Sequence, residues 1–132
     1  MNRPTPLQEL GLVAAGAVPG ALLRWQLLRP DPPAAITGWG VDTLIANLLG
    51  ALLLGLLLAQ PPQRTRLLLW GGIGLCGSLT SFSTWMLQVC QAWQLGRWLQ
   101  GLVMLLAPLP AGLALLRLGQ RLGPWLGGRR GG

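Results

Sequence analysis

The sequence predicts an all-α membrane protein of four transmembrane helices, the third broken near the bilayer midplane. Three observations predict it. Apolar residues make up 52% of the 132-residue chain and charged residues only 10%, against about 25% charged in a typical soluble domain. Four apolar runs, at roughly 7–28, 41–59, 67–92 and 98–118, approach or exceed the ~20 residues that cross hydrocarbon as a helix. The third run contains Gly71-Gly72-Ile73-Gly74-Leu75-Cys76-Gly77-Ser78-Leu79-Thr80-Ser81-Phe82-Ser83-Thr84-Trp85, where four glycines meet five hydroxyl residues. Glycine weakens a helix interior by roughly 1 kcal/mol relative to alanine, and hydroxyls compete for backbone hydrogen bonds. Loosened backbone at membrane depth survives only inside protein or along a watery cavity, so the break reads as a site. The length predicts a single domain, residues 1–132.

The first run, 7–28, is strictly uncharged only from Leu10 to Leu23. Glu9 and Arg24 therefore belong near the interfaces or in a polar cavity. Gly16-x-x-x-Gly20 offers a small-residue face for close helix packing, and Pro19 predicts a kink. Residues 29–40, with three prolines and Asp31, predict a loop with a short surface turn around Trp39. The second run, 41–59, carries Asn47, and Gly50, Ala51 and Gly55 form a second close-packing surface. Gln60-Pro61-Pro62-Gln63-Arg64 predicts a tight connection. The third run leads to an interface at 88–97. The fourth, 98–118, has Pro108 and Pro110 to distort it midway, and 119–132 reads as a basic, glycine-rich tail.

Ten arginines face three acids, a net charge of +7. In a soluble protein this would suggest nucleic acid. Here the arginines separate apolar runs, so membrane orientation explains them and no nucleic-acid partner is expected. Four crossings put seven arginines (3, 64, 66, 117, 121, 129, 130) on one side and three (24, 29, 97) on the other, which predicts cytoplasmic termini. Six of the seven tryptophans lie near run ends, as in an interfacial belt; Trp85 does not. Glu9 interrupts the N-terminal apolar stretch and no cleavage pattern follows, so no signal peptide is expected. Cys76 and Cys90 would lie about 21 Å apart on one straight helix, too far for a bond within it. With no His, no acid pair and no base beside a nucleophile, an enzyme is not expected.

Each candidate residue carries two readings. Asn47, the strongly polar side chain deep in the second run, can tie two helices together or offer amide donors to a solute. Phe82 and Trp85 share a helix face. They can fill a core, or turn their positive ring edges towards a small anion beside the hydroxyls. Arg24 is an ionisable group near hydrocarbon, a functional candidate or a residue that snorkels to the interface.

Gly16-x-x-x-Gly20-Ala21-x-x-Arg24-Trp25 resembles the first-helix signature of the CrcB/Fluc fluoride channel family. Thr43-Leu44-Ile45-Ala46-Asn47-Leu48-Leu49-Gly50 resembles the second, and Gly74 to Trp85 the third and most specific. The resemblance covers nearly the whole chain. It implies passive, fluoride-selective export through the pores of an antiparallel, dual-topology dimer in a bacterial plasma membrane. It implies a pore lined by Asn47, Phe82 and Trp85 with Ser81, Ser83 and Thr84. It also implies a structural sodium ion at the dimer centre on the backbone carbonyls of Gly77 and Thr80, and a vestibule near Arg24. Three features depart from the family pattern. Trp85 stands where phenylalanine is usual, the fourth run lacks hydroxyls (Pro108 falls about where a serine is expected), and the arginine asymmetry is large for a homodimer that inserts both ways. The last suggests pairing with an oppositely oriented paralogue in a heterodimer with an altered pore. A small four-helix multidrug transporter would need a glutamate near the centre of the first helix, and Glu9 is too early. In a non-conducting assembly protein, glycines and hydroxyls would only pack helices.

Overall fold

The computed structural model of the chain describes residues 4–28 and 39–126. The expected loop before Trp39 and the end of the basic tail lie outside the described residues. Helix α1 spans Pro6–Leu27 and α2 spans Val41–Leu58. After a 3₁₀ turn at Pro62–Arg64, the third crossing is assembled from α3 (Thr65–Leu67), a π-helical stretch π1 (Leu68–Cys76), α4 (Gly77–Leu79) and α5 (Phe82–Gln94). The fourth is α6 (Trp98–Leu106) followed by α7 (Pro108–Leu126). The four crossings are long and apolar enough to span a membrane, and the chain is a multi-pass membrane protein.

Local chemistry sets the ends. Thr5 caps α1: its hydroxyl accepts from Gln8 N–H at 3.4 Å while Gln8 Oε1 accepts from Thr5 N–H at 3.1 Å, a reciprocal capping box. Pro19 lies inside α1, which continues through it. Gly40 and Gly96 hold φ of 57° and 73°, a left-handed turn that side chains resist. They open α2 and the corner between α5 and α6. At that corner Trp93 and Trp98 stack with centroids 5.9 Å apart, and Trp93 Nε1–H donates to Trp98 O at 3.3 Å.

The glycine run stays helical. It winds wide, with Gly77 N–H reaching back to Gly72 O, five residues away. Its glycines serve contact instead. A Cβ on Gly74 would lie 2.9 Å from Gly16 Cα and 3.1 Å from Ala17 N. A Cβ on Gly16 would strike the Trp70 carbonyl, and one on Gly20 would strike the Leu75 carbonyl and Ser78 Oγ. Thus α1 and π1 meet backbone to backbone, as a small-residue face permits.

The second tight pair is α2 with α7. A Cβ on Gly55 would meet the Leu116 carbonyl, and one on Gly119 would lie 2.8 Å from Leu56 N. Gln60 Nε2 donates to Leu56 O and Gly123 O, each at 3.3 Å. These contacts carry α7 on through Leu126, so residues 119–126 are helix, past the expected end at 118. Among the described residues the buried apolar side chains are Ala46, Cys76, Leu79, Val89, Ala92 and Met104, the last three forming a cluster joined by Trp85, Met86, Trp93 and Leu105. Most large apolar side chains face outward, as the solvent for these helices is lipid.

Candidate functional site

The third crossing loses its helix at Thr80 and Ser81. Thr80 has φ −80°, ψ 150° and Ser81 φ −145°, ψ 109°, both extended, and helix resumes at Phe82. Hydroxyls make both ends. Thr80 donates twice to Cys76 O, from its N–H and its Oγ1–H, each at 3.0 Å. Ser81 caps α5: its Oγ accepts from Thr84 N–H at 3.2 Å and donates to Thr84 Oγ1 at 2.8 Å, with Ser83 Oγ 3.4 Å away.

Two consecutive extended residues leave backbone groups that water would satisfy elsewhere. In this chain Asn47 meets those of Ser81 from α2, with Trp85 N–H also reaching Ser81 O at 3.4 Å. Asn47 Oδ1 accepts from Ser81 N–H at 2.8 Å, and its Nδ2–H donates to Ser81 O at 3.4 Å. The amide thus answers one residue as a neighbouring strand would. It carries a second N–H beyond that bond. Asn47 ties two helices together, and the tie is made to the break itself. Gly50, one turn on, leaves room for the Thr80 methyl.

The same turn frees carbonyls. In a continuous helix Ser81 N–H would serve Gly77 O and Thr84 N–H would serve Thr80 O. Both donors are engaged elsewhere, with Asn47 and with Ser81 Oγ. Thr80 O instead accepts from Arg24 Nη1–H at 3.5 Å, so Arg24 lies at the break, 56 positions away in sequence. Gly77 is exposed, with nothing near enough to meet an added Cβ. No group of His, Cys, Asp and Glu is gathered among the described residues. The donors on offer to a cation at the break are therefore backbone oxygens at the negative end of a helix, a set that suits a hard ion.

Phe82 is 70% exposed. Its ring meets half-buried Trp85 edge to face, with centroids 5.8 Å apart and an interplanar angle of 90°. Trp85 Nε1–H donates to Met104 O at 2.6 Å. The sequence reading assigned no role to Thr43 and put Gln88 at the next interface. Thr43 is buried, and Gln88 Nε2–H donates to its hydroxyl at 3.0 Å, while Gln88 Oε1 is buried without a partner. The signal was present: Thr43 precedes Asn47 by four residues and Gln88 follows Trp85 by three, each pair on one helix face. A cavity of about 80 Å³ is lined by Gly40, Asn47, Trp85, Gln88, Met104 and Pro108, among others. A wider groove of about 340 Å³ shares Asn47, Trp85 and Pro108 and runs towards Leu113 and Leu116. Asn47, Thr80, Ser81, Ser83, Thr84, Phe82, Trp85 and Arg24 thus surround one break, with Gly77 one helical turn before it.

Comparison with known proteins gives the family of the chain. A family model described as "CrcB-like protein, Camphor Resistance (CrcB)" matches residues 11–120. "Fluoride-specific ion channel FluC 2" of Parasynechococcus marenigrum (strain WH8102) is 48% identical over 117 residues, covering 89% of this chain and 82% of that protein. The protein of the same name from Synechococcus sp. (strain CC9902) is 49% identical over 120 residues, covering 88% and 83%. A "Fluoride-specific ion channel FluC 1" from that strain is 36% identical over 121 residues, covering 89% and 94%. These are names of channels, not of enzymes. With the match spanning all four crossings and relatives this similar along most of their length, the chain belongs to the CrcB family.

Proposed function

We propose that the chain forms a fluoride-selective channel that lets cytoplasmic fluoride leave passively, as an antiparallel dimer in the bacterial plasma membrane. The observation that carries the reading is the set of donors gathered at the break: the Asn47 amide, the Ser81, Ser83 and Thr84 hydroxyls, and the Phe82 and Trp85 rings. Fluoride is small and holds water tightly, so a narrow route must replace hydration with N–H, O–H and positive ring edges. A carboxylate on the route would repel it, and the runs that form the second to fourth crossings hold none beyond Asp42 at the start of α2. Neutral hydrogen fluoride crosses membranes and dissociates inside, so a cell needs an exit for the trapped anion. Arg24 beside the break lends positive potential at its mouth.

The exposed Phe82 and open Gly77 support a second copy meeting the first at the break. There the carbonyls of Gly77 and Thr80 would hold a sodium ion, which would supply a fixed positive charge joining the two subunits. Thr80 O has a second lone pair beyond the long 3.5 Å bond from Arg24. The test is flux: purified protein in liposomes releases fluoride and retains chloride. Equal leakage of both refutes a selective pore.

A heterodimer is the second reading, and one observation favours it. FluC 1 and FluC 2 occur together in one strain, and this chain is 36% and 49% identical to them. Its arginines are also strongly one-sided. A C-terminal tag labelled from one side only supports a paired partner, and equal labelling from both sides supports the homodimer.

A further inference from the structure

We infer that Pro108 is a positioning residue, acting through Trp85 by leaving the Met104 carbonyl to the indole. In an unbroken helix the N–H of residue 108 would serve Met104 O. Proline has none. The neighbouring Ala107 N–H does not bend to it but bonds Val103 O at 2.9 Å. Met104 is only 7% exposed, so an unpaired carbonyl there is costly in a membrane. The donor that the structure supplies is Trp85 Nε1–H, at 2.6 Å. A phenylalanine in its place would carry no donor. A proline on the fourth crossing and a tryptophan on the third are thus two halves of one device.

The tether sets where the indole stands. It holds the ring edge to face with Phe82, and Trp85, Pro108 and Asn47 line both the 80 Å³ cavity and the 340 Å³ groove. Trp85 lines both spaces, so a change in its tilt alters both. The functional consequence rests on the channel reading above, whereas the tether does not.

The test is a double-mutant cycle in detergent-purified full-length protein, with Trp85→Phe, Pro108→Ala and the pair. Trp85→Phe orphans the carbonyl and lowers stability. Pro108→Ala in that background returns a backbone donor and recovers it, with a coupling of roughly five-fold or more in the unfolding equilibrium. Additive losses overturn the inference. Should Trp85→Phe fail to fold, Pro108→Ala alone decides through the ¹⁵N-indole spectrum. The Trp85 resonance moves upfield as its short bond is released, and an unmoved resonance overturns the inference. In liposomes Pro108→Ala also loses chloride exclusion, which a purely structural proline would leave intact; full retention of selectivity counts against the positioning role. A wild type that passes no fluoride would sink the channel reading alone, and the cycle and the resonance would still decide the tether.

Discussion

Exchanging Asn47 for aspartate separates the two roles its amide plays. One carboxylate oxygen inherits the 2.8 Å bond from Ser81 N–H. The other replaces Nδ2, which stands 3.4 Å from Ser81 O as a donor, and sets acceptor against acceptor. Ser81 O keeps the Trp85 N–H at 3.4 Å, so losing the amide bond costs about 0.5–1.5 kcal/mol. The larger effect falls on the anion. A unit negative charge about 4 Å from a passing ion raises its energy by about 4 kcal/mol at an effective dielectric near 20. At about 1.4 kcal/mol per decade of rate, fluoride flux falls by roughly three decades. Efflux from liposomes followed with a fluoride electrode measures it, with the elution profile of the purified protein as the folding check. Asn47→Leu is the companion: it loses both bonds to Ser81 without adding charge and leaves Ser81 N–H unserved, so stability falls by roughly 1–3 kcal/mol. A well-folded Asn47→Asp protein that passes fluoride within about two-fold of wild type would refute the reasoning, because Asn47 would then lie away from the route.

Gly74→Leu forces a side chain against the α1 backbone, where even a Cβ lies 2.9 Å from Gly16 Cα; a loss of about 1–3 kcal/mol or more is expected, read as a lowered melting midpoint. Gly11→Ala, where an added Cβ meets nothing within 4 Å, leaves the midpoint unchanged or raises it by up to about 1 kcal/mol of stability. Gly96→Ala strains the left-handed corner at φ 73° and costs about 1 kcal/mol; chemical denaturation in mild detergent measures it. Replacing sodium with a bulky organic cation weakens the dimer if Gly77 and Thr80 carbonyls hold the ion, a loss visible by energy transfer between labelled subunits; an unchanged dissociation constant excludes them as ligands.

Spans were legible because hydropathy and length are local properties of the chain. The Gly16 and Gly20 face was legible for the same reason, since their spacing alone puts both on one side of a helix. The locus of the break was legible only in outline. Glycines and hydroxyls together marked the region, yet they act in opposite ways. Gly71, Gly72 and Gly74 are buried where π1 is wound widely against its neighbours, whereas Thr80 and Ser81 give up the helix. What separates them is a partner 34 residues away, because Ser81 can be extended only where Asn47 answers its backbone. No window of sequence contains that information.

The other long-range pairs were hidden by the same logic. Thr43 and Gln88 are 45 positions apart, and Trp85 and Met104 are 19 apart. Gly119 and Gly123 read as the start of a loose tail, since glycine in isolation weakens a helix. Against α2 they are what allows the backbone to approach, and the helix continues to Leu126. In a membrane the penalty for glycine is set by whether a neighbour closes over the backbone it exposes. A glycine on a contact face therefore marks where another helix lies, whereas a break is marked by a polar side chain elsewhere that can complete its hydrogen bonds. By that criterion the informative residue for the third crossing was Asn47 on the second. On the fourth crossing the same pattern recurs, where the donor that Pro108 lacks is supplied to Met104 O by the Trp85 indole of the third.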